Sequence, residues 1–283
     1  MNPDKAIHGQ EKKTGTVETC SAASYSEHQE DLEKVATGSG INFLGSIARN
    51  ISLFLYAALL ANFLEPASVG LFFLGLTVMT ILGTAALLGL DMGIVRFAAL
   101  YNGEGDRARV RGTIAGAVVV AVPAGIAIGV LLYLFSDPVS VHLFEKPDLG
   151  PVLRSFAPAV PLFVLASLLC AGTQGLHRMQ YQVLSRDVAE QTGKFVFSAL
   201  ALFLGFGLTG VVWSNVAGLM LAAMLAFVFL LRLEPLFGHG APKTFEQKKL
   251  LNYSSPLAFS ALLGLLLLWT DTLFLGYFRS AEE

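Results

Sequence analysis

Seven apolar stretches, separated by short polar segments, run along this chain from residue 41 almost to its end. A bilayer hydrocarbon core of about 30 Å needs roughly 20 consecutive apolar residues in a helix. Residues 41–64, 69–95, 112–135, 155–176 and 250–278 each satisfy that length. The run 195–231 holds no ionisable residue. As one helix, at about 1.5 Å per residue, it would stretch to roughly 55 Å. The break Gly205-Phe206-Gly207-Leu208-Thr209-Gly210 divides it, predicting helices at 187–206 and 208–231 joined by a tight hairpin.

Backbone polar groups in lipid must be satisfied internally, which leaves helices or closed barrels. Long apolar runs without two-residue alternation select helices, so the expected fold is an all-α polytopic membrane bundle. Glu65-Pro66 and Ser136-Asp137-Pro138 end the first and third helices. Ser254-Ser255-Pro256 reads as a break near the start of the seventh, and Pro123, Pro158 and Pro161 as further kinks. Residues 1–40, rich in Ser, Thr, Glu and Lys, predict a largely disordered cytoplasmic tail, with a short amphipathic helix at 31–35. The tail is too long and too acidic for a signal peptide. Residues 237–249 form a polar loop before the seventh helix.

Composition agrees: 54% hydrophobic residues, 14% charged and a mean hydropathy of +0.63. A soluble domain carries charge on about a quarter of its residues. Nothing in the net charge of -2 points to nucleic acid. The placement of basic residues orients the chain. With the N-terminus inside, the inner segments hold Lys5, Lys12, Lys13, Lys34, Arg96, Arg107, Arg109, Arg111, Arg178, Arg186, Lys194, Arg232, Lys243, Lys248 and Lys249. The outer ones hold Lys146, Arg154 and Arg279. That asymmetry predicts a cytoplasmic N-terminus. The chain stops shortly after the seventh helix, an ending expected of a truncated product or natural fragment, with a small complete protein as the alternative.

No catalytic constellation is present: no GxxxxGK loop, His-Glu-x-x-His or Gly-x-Ser-x-Gly. His8, His28, His142, His177 and His239 fall in the tail or loops, and Cys20 and Cys170 make neither a disulfide framework nor a metal site. The expectation is a protein that is not an enzyme, with no cofactor. What remains is ionisable residues at membrane depth, which cost about 2.5–3.5 kcal/mol on insertion scales and normally face a polar interior. Arg49 either snorkels to the inner interface beside Asn50 and Asn42 or lines a cavity for an anionic ligand. Asp271, between Thr270 and Thr272, either takes up a proton or sodium ion or pairs with Arg49 or a hydroxyl. Asp91 and Arg96 close the second helix at the inner face, as a cap and topology signal. Asn215, with Ser214 and Trp213, and Gln174, with Thr173, are either interhelical hydrogen-bonding groups or cavity contacts.

Three stretches together resemble a known family. Ala61-Asn62-Phe63-Leu64-Glu65-Pro66-Ala67-Ser68-Val69-Gly70-Leu71-Phe72 resembles the "LGPxxYGLF" turn between the first two helices of polysaccharide flippases. Gly89-Leu90-Asp91-Met92-Gly93-Ile94-Val95-Arg96-Phe97 resembles their "GLDxxxxRF" second-helix end, and Thr270-Asp271-Thr272-Leu273-Phe274-Leu275-Gly276-Tyr277-Phe278 their seventh-helix "DxLxLGYF". Order and spacing match too. From about residue 41 the chain is similar to the N-terminal half of O-antigen and exopolysaccharide flippases. These belong to the multidrug/oligosaccharidyl-lipid/polysaccharide exporter superfamily, which also contains the MATE drug exporters.

The resemblance implies a six-helix lobe at 41–236 and, at 237–283, a loop plus the first helix of a second lobe. It implies a plasma-membrane flippase for polyprenyl-linked oligosaccharides, coupled to an ion gradient. Asp91, Arg96 and Asp271 match the family patterns, and Arg49 lies where some relatives place basic cavity residues. Its guanidinium suits a pyrophosphate linker. Alternating access needs two lobes, so the expected partners are a second half or another copy, besides the lipid-linked oligosaccharide and membrane lipids. A MATE-type drug or cation exporter fragment is the alternative, as is a non-transporting subunit of a glycan-synthesis complex.

Overall fold

The computed structural model of the protein describes Gly40 and residues 43–233 and 247–278. The expected tail, most of the loop before the seventh helix, and residues 279–283 lie outside the described residues. The apolar runs form helices α1 (Phe43–Phe63), α2 (Pro66–Leu87), α3 (Leu90–Gly103) and α4 (Arg107–Leu134). A short α5 (Ser136–Pro138) and one π-helical turn, Val139–Leu143, lead to α6 (Leu149–Phe156) and α7 (Ala159–Gly175). Next come α8 (Met179–Gln182), a π-helical segment at Val183–Glu190 and α9 (Gln191–Phe203). The last helices are α10 (Gly207–Leu233) and α11 (Gln247–Phe278). Among the described residues there is no strand.

Among the described residues, six helices are long and apolar enough to cross a membrane: Phe43–Phe63, Pro66–Leu87, Arg107–Leu134, Leu149–Gly175, Gly207–Leu233 and Lys249–Thr270. The fifth of the seven expected crossings is present as one helical rod over 179–203. Arg186, Asp187, Glu190 and Lys194 lower its apolarity, so composition alone does not qualify it.

Other expectations need correction. The second helix does not run unbroken over 69–95. Leu88 (φ 52) and Gly89 (φ 68) turn into the left-handed region, the Leu88 N–H bonds back to the Ala85 carbonyl, and the chain restarts as α3. The fourth crossing begins at Leu149 rather than 155, with its break at Ala157–Pro158. Ser254-Ser255-Pro256 is no break at all, since α11 continues through it, and α4 continues through Pro123. Pro256 deletes a single N–H in the first turns of a long helix, and neighbouring helices hold that segment in place.

Burial sorts the helices into a centre and a rim. In an apolar 18-residue window of the Leu149–Gly175 span 72% of residues are buried, against 17% in that of Phe43–Phe63 and 11% in that of Lys249–Thr270. The α6–α7 rod is therefore the axis on which α2, α3, α4 and α10 pack. Two apolar clusters divide the interior by depth. One joins Leu90, Ile94, Ile114, Leu168 and Leu230 towards the expected inner end. The other joins Leu60, Phe72, Leu153, Phe156 and Val211 towards the outer end, with Phe72 and Phe156 rings 5.7 Å apart. Large side chains such as Phe54, Phe203 and Leu267 point outward, as lipid-facing positions do.

The rim helix α1 lies parallel to the 179–203 rod. Gly45 sits against Val183, Arg49 reaches Asp187, Tyr56 Oη lies 3.2 Å from Ser198 Oγ, and the Phe63 and Phe203 rings meet edge-on at 5.6 Å. Four contacts at four depths fix the register. Tyr56 and Ser198 are both buried, so their hydrogen bond is worth about 1 kcal/mol net. Tyr56→Phe should lower stability by about that amount, seen as a small drop in Tm in detergent, because Ser198 can turn its hydroxyl to its own helix backbone.

Candidate functional site: a charged seam at membrane depth

Ionisable side chains inside an apolar bundle must find partners or water, and here they converge on the 179–203 rod. Its π-helical segment closes i→i+5 rather than i→i+4, which widens the turn and often marks functional positions. Side chains in and just beyond it turn to different neighbours. Asp187 faces α1, where its Oδ1 accepts from Arg49 Nη1 at 3.3 Å. Arg186 lies over the Phe163 ring of α7, 5.5 Å from its centroid. Glu190 holds Lys194 one turn on, Nζ to Oε1 2.6 Å, with only 8% and 13% of the two side chains exposed.

The Glu190–Lys194 pair has a dedicated place on α10. A Cβ on Gly218 would stand 2.6 Å from Lys194 Cγ and 3.1 Å from the Glu190 carbonyl oxygen, so only glycine allows the two helices to close over the ion pair. The α1 register sets the pair level with about residues 51–53, near the midpoint of that span. Gly218 likewise lies near the middle of the 27-residue α10. A neutralised ion pair thus sits close to the bilayer midplane, the depth at which transporters bind substrate and ions.

Arg49 resolves into neither of its two expected states alone. Its side chain is 45% exposed, and it is ion-paired with Asp187. That carboxylate lies in the π-helical segment of the fifth helix. Asp271 belongs to α11, but its side chain lies outside the described ones. Asn215 is buried, and neither its Nδ2 nor its Oδ1 reaches a hydrogen-bond partner among the described residues. Gln174 is half-buried one residue from the end of α7. That is the end of the bundle opposite the start of α10, so the two amides are not brought together. Arg186, just outside the helix expected over 187–206, is a helical residue of the seam, as is Lys194 within that helix. Among the described residues, no three His, Cys, Asp or Glu side chains gather as metal ligands would.

Asp91 and Arg96 have different roles. Asp91 is half-buried in the first turn of α3, where a carboxylate favours the helix dipole. Arg96 leaves α3 and lies 4.2 Å over the Tyr253 ring of α11, and Phe97 meets Tyr253 edge-on at 5.5 Å. Beside them Gly93 packs on Ser254 Oγ and Leu250, and Gly89 on the Ser254 and Ala258 backbone. The "GLDxxxxRF" stretch is therefore the joint where the second crossing meets the seventh helix. Asp187, Glu190, Lys194 and Tyr253 were not singled out by the sequence pattern. The signal for two of them was present: Glu and Lys four apart in an otherwise apolar helix are placed to neutralise each other.

The described residues form an all-helical transmembrane bundle with ion pairs between and along its helices, and known structures have this fold. A multidrug resistance MATE family transporter of the MOP superfamily, in its outward-facing conformation, superposes with a TM-score of 0.65 at 16% identity, over 80% of this chain and 52% of that one. A MOP superfamily transporter from Pyrococcus furiosus gives 0.60 at 16% identity, over 80% and 50%. The chain belongs to the polysaccharide biosynthesis protein family, whose model matches residues 35–283. It is also 26% identical over 202 residues to the stage V sporulation protein B of Bacillus subtilis. That match covers 69% of this chain and 37% of the relative, so the chain spans well under two thirds of the proteins it matches.

Proposed function

We propose that this chain forms the N-terminal lobe of a flippase that carries lipid-linked oligosaccharide precursors across the plasma membrane, working with a second lobe. The observation that carries this reading is family membership across residues 35–283. The seam supports an anionic cargo over a cationic one: among the described residues it gathers Arg49, Arg186 and Lys194 with Asp187 and Glu190. Arg49 is the accessible cation among them and the residue proposed to meet the pyrophosphate linker, since guanidinium binds phosphate oxygens bidentately. A cytoplasmic N-terminus is part of the proposal, supported by thirteen basic residues on the inner side against three outside once Arg186 and Lys194 are set aside. Energy coupling to a proton or sodium gradient is part of the same proposal.

The test is complementation of a strain lacking its own flippase, using the full transporter that carries this lobe. Arg49→Ala should abolish growth rescue while membrane insertion is unchanged, and lipid-linked substrate should accumulate in the cytoplasmic leaflet. Rescue at the wild-type level would remove Arg49 from the binding path.

A further inference from the structure

We propose that Asp187 is a built-in counter-ion for Arg49, which the anionic linkage of the cargo displaces on binding and which recaptures Arg49 on release. The inference rests on the flippase reading above and adds how affinity is limited. Three observations carry it. Arg49 and Asp187 are held together by the fold, because the α1 register is pinned on both sides of them, at Gly45 and at Tyr56. The contact itself is loose, one Nη1–Oδ1 approach at 3.3 Å, while Glu190–Lys194 closes to 2.6 Å. The exposures are unequal: Arg49 is 45% exposed and Asp187 12%, so an approaching anion meets the guanidinium and not the carboxylate.

These features make an exchangeable pair. A diphosphate offers two charge-assisted bonds in place of one long one, so it wins the guanidinium. Displacement leaves Asp187 in the half-buried seam without its cation, a penalty charged against every binding event. The neighbouring cations do not relieve it fully: Lys194 is bound to Glu190, and Arg186 is drawn over Phe163. A transporter needs its cargo to leave, and this arrangement weakens binding without removing the recognition group. When no cargo is present Arg49 is neutralised, which suits a side chain at membrane depth.

The experiment uses the full chain purified into nanodiscs, with farnesyl diphosphate as the lipid-linked probe and inorganic pyrophosphate as the headgroup-only probe. Binding is read by thermophoresis, and folding is checked by monodisperse elution. Asp187→Asn removes the competing charge with little change of shape and should tighten farnesyl diphosphate binding about fivefold, a shift of the size an ion pair supplies. Arg49→Gln should abolish binding, and the exchange Arg49→Asp with Asp187→Arg should fold but not bind. Unchanged or weaker binding by Asp187→Asn, with Arg49→Gln still defective, would overturn the counter-ion role and leave the flippase reading standing. Wild-type binding by the exchanged variant would make the pair structural and overturn the role as well. If neither wild type nor Asp187→Asn binds either probe, Arg49 is no diphosphate site in this lobe and the proposal falls, while the complementation test decides the flippase reading separately.

Discussion

Lys194→Met is expected to destabilise the lobe severely, by about 3–5 kcal/mol, because it strands Glu190 near the bilayer midplane. The wild-type pair is 2.6 Å apart and nearly closed off, with Gly218 of α10 pressed over it. Methionine fills most of the lysine stem's volume, so packing against Gly218 is largely kept and the lost term is electrostatic. Glu190 then lacks its cation, and the helices must part to admit water or the chain fails to insert stably. Replacing both residues, Glu190→Gln with Lys194→Met, should recover most of the loss, since a neutral amide beside a thioether carries no stranded charge. Membrane yield and Tm in detergent separate the outcomes. A double variant as unstable as Lys194→Met would mean that volume at Gly218, and not charge, sets stability there.

The helical class and the approximate spans are legible in the sequence because lipid imposes long apolar runs on any chain that crosses it. Residues 207–233 and 107–134 carry that signal without ambiguity. The seam is less legible. Arg186 falls just outside the helix expected over 187–206, because a positive residue before an apolar run usually belongs to a loop, and a π-helical segment that keeps three ionisable residues helical has no composition signature. The partner of Arg49 was invisible for another reason. Asp187 is 138 residues away, and only the parallel packing of α1 on the 179–203 rod brings it near. Gly89 lies inside the apolar run expected as one helix over 69–95, and only the structure shows the left-handed stop there. Equally hidden is the neighbour that fills the space beside it, the backbone of α11.

That neighbour makes Gly89→Val the second large-effect substitution, through two independent penalties. The residue sits at φ 68, where a β-branched side chain is strongly disfavoured. A Cβ there would also stand 2.5 Å from the Ser254 carbonyl oxygen and 2.8 Å from the Ala258 nitrogen. Both are backbone atoms of α11, so no rotamer relieves the clash and the helix must move away as a unit. It would take with it the Arg96–Tyr253 stack and the Gly93 contact with Ser254 and Leu250. The expected loss is about 3 kcal/mol or more, combining strain and overpacking. Because α11 has little other burial, the loss should appear as detachment rather than global unfolding. Spin labels on α3 and α11 should report a longer and broader distance while the α4–α7 core keeps its own. Gly103→Ala is the control: nothing lies within 4 Å of its Cβ position, and its effect should stay within about 0.5 kcal/mol. An unchanged α3–α11 distance in Gly89→Val would show that the joint tolerates a side chain, and that the glycine is there only to stop the helix.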